Sequence, residues 1–309
     1  MRRRQVQERR IRRRTFAGVL VLAFACSQSP VAVDPAEAAA AVAEVAAAVT
    51  GQEAPMAARY EQEKHLGFDT YTYPGDDVMR AWRNAKDAPY SWVGYYLPAP
   101  CHKGKTWVGK RQTLVDMGWG LAVVYVGQQT WEQTPRPLTP AERASLIRRG
   151  KTCHTNFLGA SQGRLEAEDA VAKTAAEGFP RGTVIFLDVE RMEKVPAAMR
   201  DYYRAWTARV IEDGRYRAGY YVHKHNAQLI YDDVKSVFAA AGVKEEPRFW
   251  VASGRDFDPN ESAPADVGHV FAGVWQGLID VAREVADIEL PVDVNVAAWP
   301  SPSDWEVAE

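Results

Sequence analysis

Two carboxylates one residue apart, Asp188 and Glu190, are the residues of this sequence best suited to chemistry. They end the run 183–190, whose apolar and β-branched start is typical of a strand buried on both faces. Because alternate residues of a strand point the same way, both side chains lie on one face. Like charges this close raise the proton affinity of one member, and glycosidic bond cleavage needs such a pair. The alternative is a strand that ends in solvated acids.

Short apolar runs alternate with amphipathic segments from Leu66 onward, which is typical of parallel β/α units. The predicted fold class is α/β, a (β/α)8 TIM-type barrel, because eight strands in about 240 residues match that fold in size. Strands are predicted at 66–70, 92–97, 121–126, 183–190, 218–222, 249–253, 270–276 and 292–296. Helices are predicted at 76–86, 106–117, 164–177, 196–212 and 227–241. Residues 256–268 contain no convincing helix, so irregularity is expected around strands six to eight, and an open doubly wound sheet is the fallback.

Two further acids lie in the first and last predicted strands. Asp69 ends strand one, and Asp293 lies in strand eight. The active site of a barrel lies at the carboxyl ends of its strands, and strands one and eight are neighbours where the barrel closes. We therefore expect Asp69, Asp188, Glu190 and Asp293 to surround one pocket.

The amino-terminal residues predict export. The first 14 residues contain eight arginines and one acid, and the uncharged stretch 16–25 is too short to span a bilayer. With the small residues Ala23 and Ala25 at its end, the segment 1–25 has the features of an export signal, and Arg13-Arg14 resembles a twin-arginine signal. Removing this +7 segment from a chain of net charge −2 leaves −9, which argues against a nucleic-acid partner.

The chain has three cysteines. Cys26 follows the signal directly in a sequence that resembles a permissive bacterial lipobox, so it is either a lipidation site or an ordinary cysteine; any membrane association is expected only through the signal or this lipid. In an exported chain the remaining pair, Cys101 and Cys153, is expected to form a disulfide, with two buried thiols as the alternative. Residues 26–63 are Ala-rich and suit a linker. The barrel is predicted to span 64–300, with a tail at 301–309.

The strand-end motifs resemble those of the family 25 glycoside hydrolases, the bacterial and phage lysozymes, and more closely a related group of exported, glycoside hydrolase-like bacterial barrels. The resemblance covers about residues 65 to 300. The motifs that carry it are Gly67-Phe68-Asp69-Thr70-Tyr71, Gly94-Tyr95-Tyr96-Leu97, Tyr125-Val126-Gly127, Phe186-Leu187-Asp188-Val189-Glu190, Gly219-Tyr220-Tyr221, Val274-Trp275-Gln276 and Val292-Asp293-Val294-Asn295.

The resemblance implies a role for each acid. Glu190 is the expected general acid, and Asp188 is expected to tune it or to stabilise positive charge. Asp69 and Asp293 are expected to position substrate and water or to support an attacking N-acetyl group. The implied substrate is a β-linked amino-sugar polymer, above all peptidoglycan. The chief departure from the family is the long segment 128–162, which is expected to cover or narrow the cleft.

Aromatic side chains at strand ends suit the faces of sugar rings, although core packing is the alternative for most of them. Tyr125 and Tyr221 are the strongest candidates, with Gln276 as a polar contact. The other candidates are Tyr95, Trp250 and Trp275.

Two other motifs contain residue types that occur in active sites. Ser161 lies in a Gly-x-Ser-x-Gly pattern that lacks the buried strand of a nucleophile elbow, so we expect it near a helix amino terminus. His223 and His225 have the spacing for zinc together with Asp188 or Asp293, but a solvated pair at the strand end is favoured. No metal and no cofactor are predicted.

The sequence therefore predicts an exported, glycoside hydrolase-like barrel that acts on cell-envelope glycan by acid catalysis. A non-catalytic glycan-binding or envelope-regulatory module is the first alternative, and a zinc-dependent hydrolase is the second. The glycan itself and the oligomeric state stay open at this point.

Overall fold

A closed barrel of eight strands forms the centre of the computed structural model, which describes residues 64–131 and 133–305. The expectations for the export signal, Cys26 and the linker lie outside the described residues. The strands are β1 (His65–Asp69), β2 (Trp92–Tyr96), β3 (Gly120–Val126), β4 (Val184–Val189), β5 (Arg217–His223), β6 (Arg248–Ala252), β7 (Ala272–Val285) and β8 (Ile288–Ala297). The predicted barrel is thereby confirmed.

Helices follow most of the strands. They are α1 (Asp76–Asn84), α2 (Arg111–Asp116), α3 (Pro140–Arg148), α4 (Ala160–Ala176), α5 (Ala197–Asp213) and α6 (Lys224–Ala240), with short 3-10 turns at Thr155–Phe157 and Pro264–Val267. No helix within the described ranges is long and apolar enough to cross a membrane. The expected irregularity between strands six and seven is confirmed, since only the second 3-10 turn connects them.

The last strand runs opposite to the other seven. β8 pairs antiparallel with both β7 and β1. β7 and β8 are joined by only two residues, Ala286 and Asp287, which both have positive φ (52° and 58°). Two-residue hairpin turns require this conformation and usually contain Gly or Asn. Ala-Asp is a weak signal for such a turn, so the hairpin is not evident in the sequence.

Residues 301–305, predicted as part of a tail, close the bottom of the barrel. The Ser303 hydroxyl accepts from Val123 N at 2.7 Å and donates to Val184 O at 2.7 Å. Arg248, at the start of β6, donates to the carbonyls of Pro302 and Asp304. A Cβ atom on Gly120 would lie 1.8 Å from Pro300 O, so this close approach requires glycine. The mouth at the opposite end is therefore the open end.

The predicted disulfide is confirmed, and it anchors the long segment between β3 and β4. Cys101 follows β2, and its partner Cys153 follows α3. Helix α3 was not predicted because it buries no residue and so has no apolar stripe. The sequence nevertheless contains its start signal, since Thr139 and Glu142 form a capping box around Pro140.

His102, next to the disulfide, is fully buried, and neither ring nitrogen has a hydrogen-bond partner among the described residues. Burial lowers its pKa from 6.5 to about 4. As the pH falls below 6.5, the unfolded chain binds a proton that the folded chain refuses until about pH 4, so folding stability falls through this window. The expected loss is about 3 kcal/mol.

Denaturant unfolding of the wild-type chain and of His102→Leu between pH 7 and pH 4 measures this loss. The leucine variant is expected to keep more of its stability at pH 4. An equal decrease in both proteins would assign the acid sensitivity to other groups.

Candidate active site

The four predicted acids meet at the open mouth of the barrel. They line one cavity of about 90 Å³ with Tyr96, Val124, Tyr221, Trp250 and Gln276. This volume holds about three waters, at about 30 Å³ each, or one small substituent of a larger ligand. The barrel interior beneath this cavity is hydrophobic, since Trp250 packs edge-to-face on both Trp92 and Phe186. We call this space the carboxylate cavity.

Asp69 is the least exposed of the four acids, and three side chains donate hydrogen bonds to its carboxyl. Its side chain is 3% exposed and accepts from the Tyr96 hydroxyl at 2.6 Å, from Asn295 Nδ2 at 2.9 Å and from Gln276 Nε2 at 3.0 Å. Burial raises the pKa of Asp69, and the three hydrogen bonds oppose this effect only in part. The donors hold the carboxyl in one orientation.

Asp293 reaches the mouth because β8 is antiparallel. It pairs directly with Asp69 and is the first residue of β8 that pairs with β1. In a parallel strand that position would lie toward the closed bottom, so Asp293 lines the cavity with the other three acids although the direction assumed for this strand was wrong. Burial first, and then the negative charge of Asp69, raises the pKa of Asp293 to about 7.

One amide connects this opposed pair of acids. Gln276 Nε2 donates to Asp69 and to Asp293, at 3.0 Å each, and Gln276 Oε1 accepts from the Tyr221 hydroxyl at 2.6 Å. Asp293 also accepts from the backbone N–H of Asp280 at 2.7 Å, where a positive φ of 52° marks an irregularity of β7. The network fixes the positions of both carboxyls before any ligand binds.

Asp188 is buried without a hydrogen-bond partner for Oδ1 among the described residues, and it is 7% exposed. Burial, then the charges of Glu190 and Asp69, raises the pKa of Asp188 well above its ordinary value. Its protonated form is therefore favoured relative to that of a solvent-exposed aspartate. A buried polar atom without a partner is costly, so Oδ1 is a contact point for a ligand group.

Replacing Asp188 by asparagine is expected to stabilise the fold at neutral pH. The raised pKa means that the folded chain keeps a proton which the unfolded chain loses above pH 3.8, so wild-type stability falls as the pH rises. Asparagine does not titrate, so we expect its gain in stability over the wild type to be larger at pH 7 than at pH 4. Urea unfolding at both pH values measures it. A difference that is the same at both pH values would contradict the raised pKa.

Glu190 lies just past β4 at the rim of the cavity and is the exposed member of the four. The walls of the mouth displace water from its carboxylate, and the charge of Asp69 adds to this effect, so its pKa is raised. Glu190 thus combines an elevated proton affinity with access to a bound ligand. These are the two properties that a general acid requires.

The backbone around Glu190 is held from two sides. Gln129 Nε2 donates to Asp188 O at 2.8 Å, and Gln129 Oε1 accepts from Glu190 N at 3.1 Å. On the other side, the Asn226 amide bonds both the N–H and the carbonyl of Met192, at 2.9 Å each. Gln129 belongs to the long segment 128–162, so this segment helps to position Glu190.

The predicted aromatic contacts divide by the face of the strand they occupy. Tyr221, Trp250 and Gln276 line the cavity. Tyr95 and Tyr125 instead point outward under the helices, where their hydroxyls bond Glu177 at 2.5 Å and Asp169 at 2.8 Å. Trp275 is also buried away from the cavity and donates to Ser253 O. The last three side chains therefore belong to the core, which is the alternative stated for them.

Sequence reasoning missed several residues of the site, of which Tyr96, Gln129 and Asn295 are the clearest. Tyr96 was detectable, because alternation along β2 places it on the face opposite to Tyr95. Asn295 was also detectable, because it lies two residues after Asp293 on the same face. Gln129 had no signal, since its role depends on the path of an irregular segment.

The two other motifs have structural roles. Ser161 is the second residue of α4, next to the Gly159 N-cap. His223 Nδ1 accepts from His225 N at 3.0 Å and caps α6. Within the described ranges, no group of three or more His, Cys, Asp or Glu side chains has a geometry that could hold a metal ion. The four carboxyls at the mouth can transfer protons to and from a ligand.

Comparison with known proteins agrees with this geometry. The family model described as Rv2525c-like, glycoside hydrolase-like domain matches residues 80–296. A search of curated protein sequences found no match.

Solved structures share the fold at low sequence identity. An uncharacterised B. stearothermophilus protein is 19% identical, with a TM-score of 0.50, over 75% of this chain and 95% of its own. The Mycobacterium tuberculosis Tat-secreted protein Rv2525c is 18% identical, with a TM-score of 0.44, over 75% of this chain and 93% of its own. The Clostridium perfringens spore cortex lytic enzyme SleM is 12% identical, with a TM-score of 0.47, over 80% of this chain and 68% of its own. The first of these likenesses supports the barrel fold.

Proposed function

The chain belongs to the Rv2525c-like family of glycoside hydrolase-like domains, and from this premise we propose that it is an exported glycoside hydrolase of the cell envelope. Its substrate is an amino-sugar polymer of the peptidoglycan type. The observation that carries this proposal is the carboxylate cavity, where one exposed acid of raised pKa adjoins three more buried carboxyls.

In this mechanism Glu190 donates its proton to the glycosidic oxygen as the bond to the anomeric carbon breaks. Asp188 donates a hydrogen bond from its neutral carboxyl to a substituent in the cavity. Asp69 and Asp293 face the positive charge that develops on the sugar ring and orient the incoming water or acetamido group. Water finally supplies the hydroxyl of the new reducing end, and its remaining proton returns the acid to its starting state.

Product analysis tests the proposal. The purified full chain is incubated with peptidoglycan and with N-acetylglucosamine oligomers, and the products are identified by mass spectrometry. New reducing ends are expected from the wild type and from the control Glu168→Gln, whose exposed side chain lies on α4 and pairs with Arg209 on α5. They are not expected from Glu190→Gln. Wild type without products on either substrate would refute the hydrolase.

One observation favours a second function, recognition of glycan without cleavage. The carboxylate cavity has a volume of about 90 Å³, whereas ligand sites usually measure about 300–1,000 Å³. A substrate must therefore place one substituent inside and bind mainly across the rim. If glycan binds to both wild type and Glu190→Gln, and neither protein releases products, the binding module is the correct function.

A further inference from the structure

A second cleft, of about 680 Å³, opens at the carboxyl ends of β5 and β6, beside the loop that follows Glu190. We call it the basic cleft, because all of its ionisable lining side chains are basic. They are Arg191, His223, Lys224, His225, Arg255 and His269. Arg191 directly follows Glu190, so the basic cleft begins where the carboxylate cavity ends.

The positive charges of the basic cleft are largely unneutralised. Lys224 and Arg255 are exposed and make no ion pair within the described part of the chain. Among the described residues Arg191 forms an ion pair with Glu193 alone, at 3.3 Å, and such an exposed ion pair contributes little to stability. Burial first, and then the charges of Arg191 and His225, lowers the pKa of His223. The cleft is thus positively charged, and few acidic side chains neutralise its basic groups.

This positive charge contrasts with the net charge of the chain after residue 25, which is −9. It also lies beside the carboxylate cavity, whose ionised carboxyls would repel a negatively charged substrate. A neutral glycan needs no such compensation, whereas an anionic one does.

We propose that the basic cleft binds an anionic substituent, phosphate or carboxylate, of the glycan whose scissile bond lies at Glu190. The proposal rests on the proposed function for the position of the bond, but the binding step itself needs no cleavage. Lys224 and Arg255 are the main contacts, because Arg and Lys donors form charge-assisted hydrogen bonds with either anion. The substrate class is therefore an acidic amino-sugar polymer.

Binding is measured by calorimetry with three probes: a neutral N-acetylglucosamine oligomer, the same oligomer carrying a 6-phosphate, and a peptidoglycan fragment with free stem-peptide carboxylates. The proteins are the full chain, the variant Lys224→Gln/Arg255→Gln and the control Arg80→Gln/Lys86→Gln. The control removes the same two charges from exposed positions at α1, on the other side of the barrel. All three proteins carry Glu190→Gln, so that no probe is cleaved.

At least one anionic probe is expected to bind about tenfold more tightly than the neutral oligomer, a difference of about 1.4 kcal/mol. The preferred probe identifies phosphate or carboxylate as the natural group. The preference should disappear in Lys224→Gln/Arg255→Gln, persist in the control and weaken with salt. Equal affinity for all three probes, or the same preference in both double variants, would overturn the proposal. Charge-dependent binding by a wild-type chain that cleaves nothing would refute the hydrolase alone.

Discussion

Glutamine at position 190 is expected to lower the rate of glycan hydrolysis about 1,000-fold, with little change in KM. Glutamine keeps the size of the side chain but has no proton to transfer, and general acid catalysis contributes about 100- to 10,000-fold. Ground-state binding is preserved, because the variant keeps the Gln129 contacts to the backbone on either side of this position. Initial rates over a range of substrate concentrations measure both parameters.

The leaving group provides the decisive control for this role. The phenolate of an aryl glycoside with an acidic phenol leaves without protonation. The rate of its cleavage should therefore fall much less in Glu190→Gln than the rate of cleavage of a sugar–sugar bond. A residue that only positions the substrate would slow both reactions alike. Equal losses on the two substrates would therefore remove Glu190 from the role of proton donor.

Removal of the Cys101–Cys153 disulfide is expected to lower the free energy of unfolding by about 4 kcal/mol. The bridge closes a loop with a sequence separation of 52 residues, and the chain-entropy model gives about this value for a loop of that length. Several hydrogen bonds near the bridge remain after its loss. Among them are Thr152 Oγ1 to Pro100 O at 2.9 Å and Gln128 Nε2 to Thr152 O at 2.8 Å.

Guanidinium unfolding of Cys101→Ala/Cys153→Ala against the wild type measures this change. A reductant serves as the matched control, since it should lower the stability of the wild type toward that of the variant and leave the variant unchanged. A decrease of less than about 1 kcal/mol would show that packing of the segment 128–162 holds the loop without the bridge.

Much of the site followed from local patterns in the sequence. The apolar, β-branched run that ends at Asp188 is typical of a strand buried on both faces, and the alternation of side chains then places Glu190 on the same face as Asp188. The same rule, applied to β2, would have exchanged Tyr95 for Tyr96 as the side chain at the mouth. For Tyr95 and Tyr125 the aromatic residue type suits a sugar contact, but the alternation of side chains along each strand points them away from the mouth.

The sequence by itself determined the barrel, the strands that carry Asp69 and Asp188, the position of Glu190 just after β4, and the cysteine pair, because periodicity and composition are properties of the chain within a few residues. Only the tertiary structure decided the direction of β8, the missing partner of Asp188 and the position of the basic cleft. These features depend on a two-residue turn with positive φ and on side chains brought together from distant strands. Such contacts arise from closure of the barrel, which local sequence patterns do not encode.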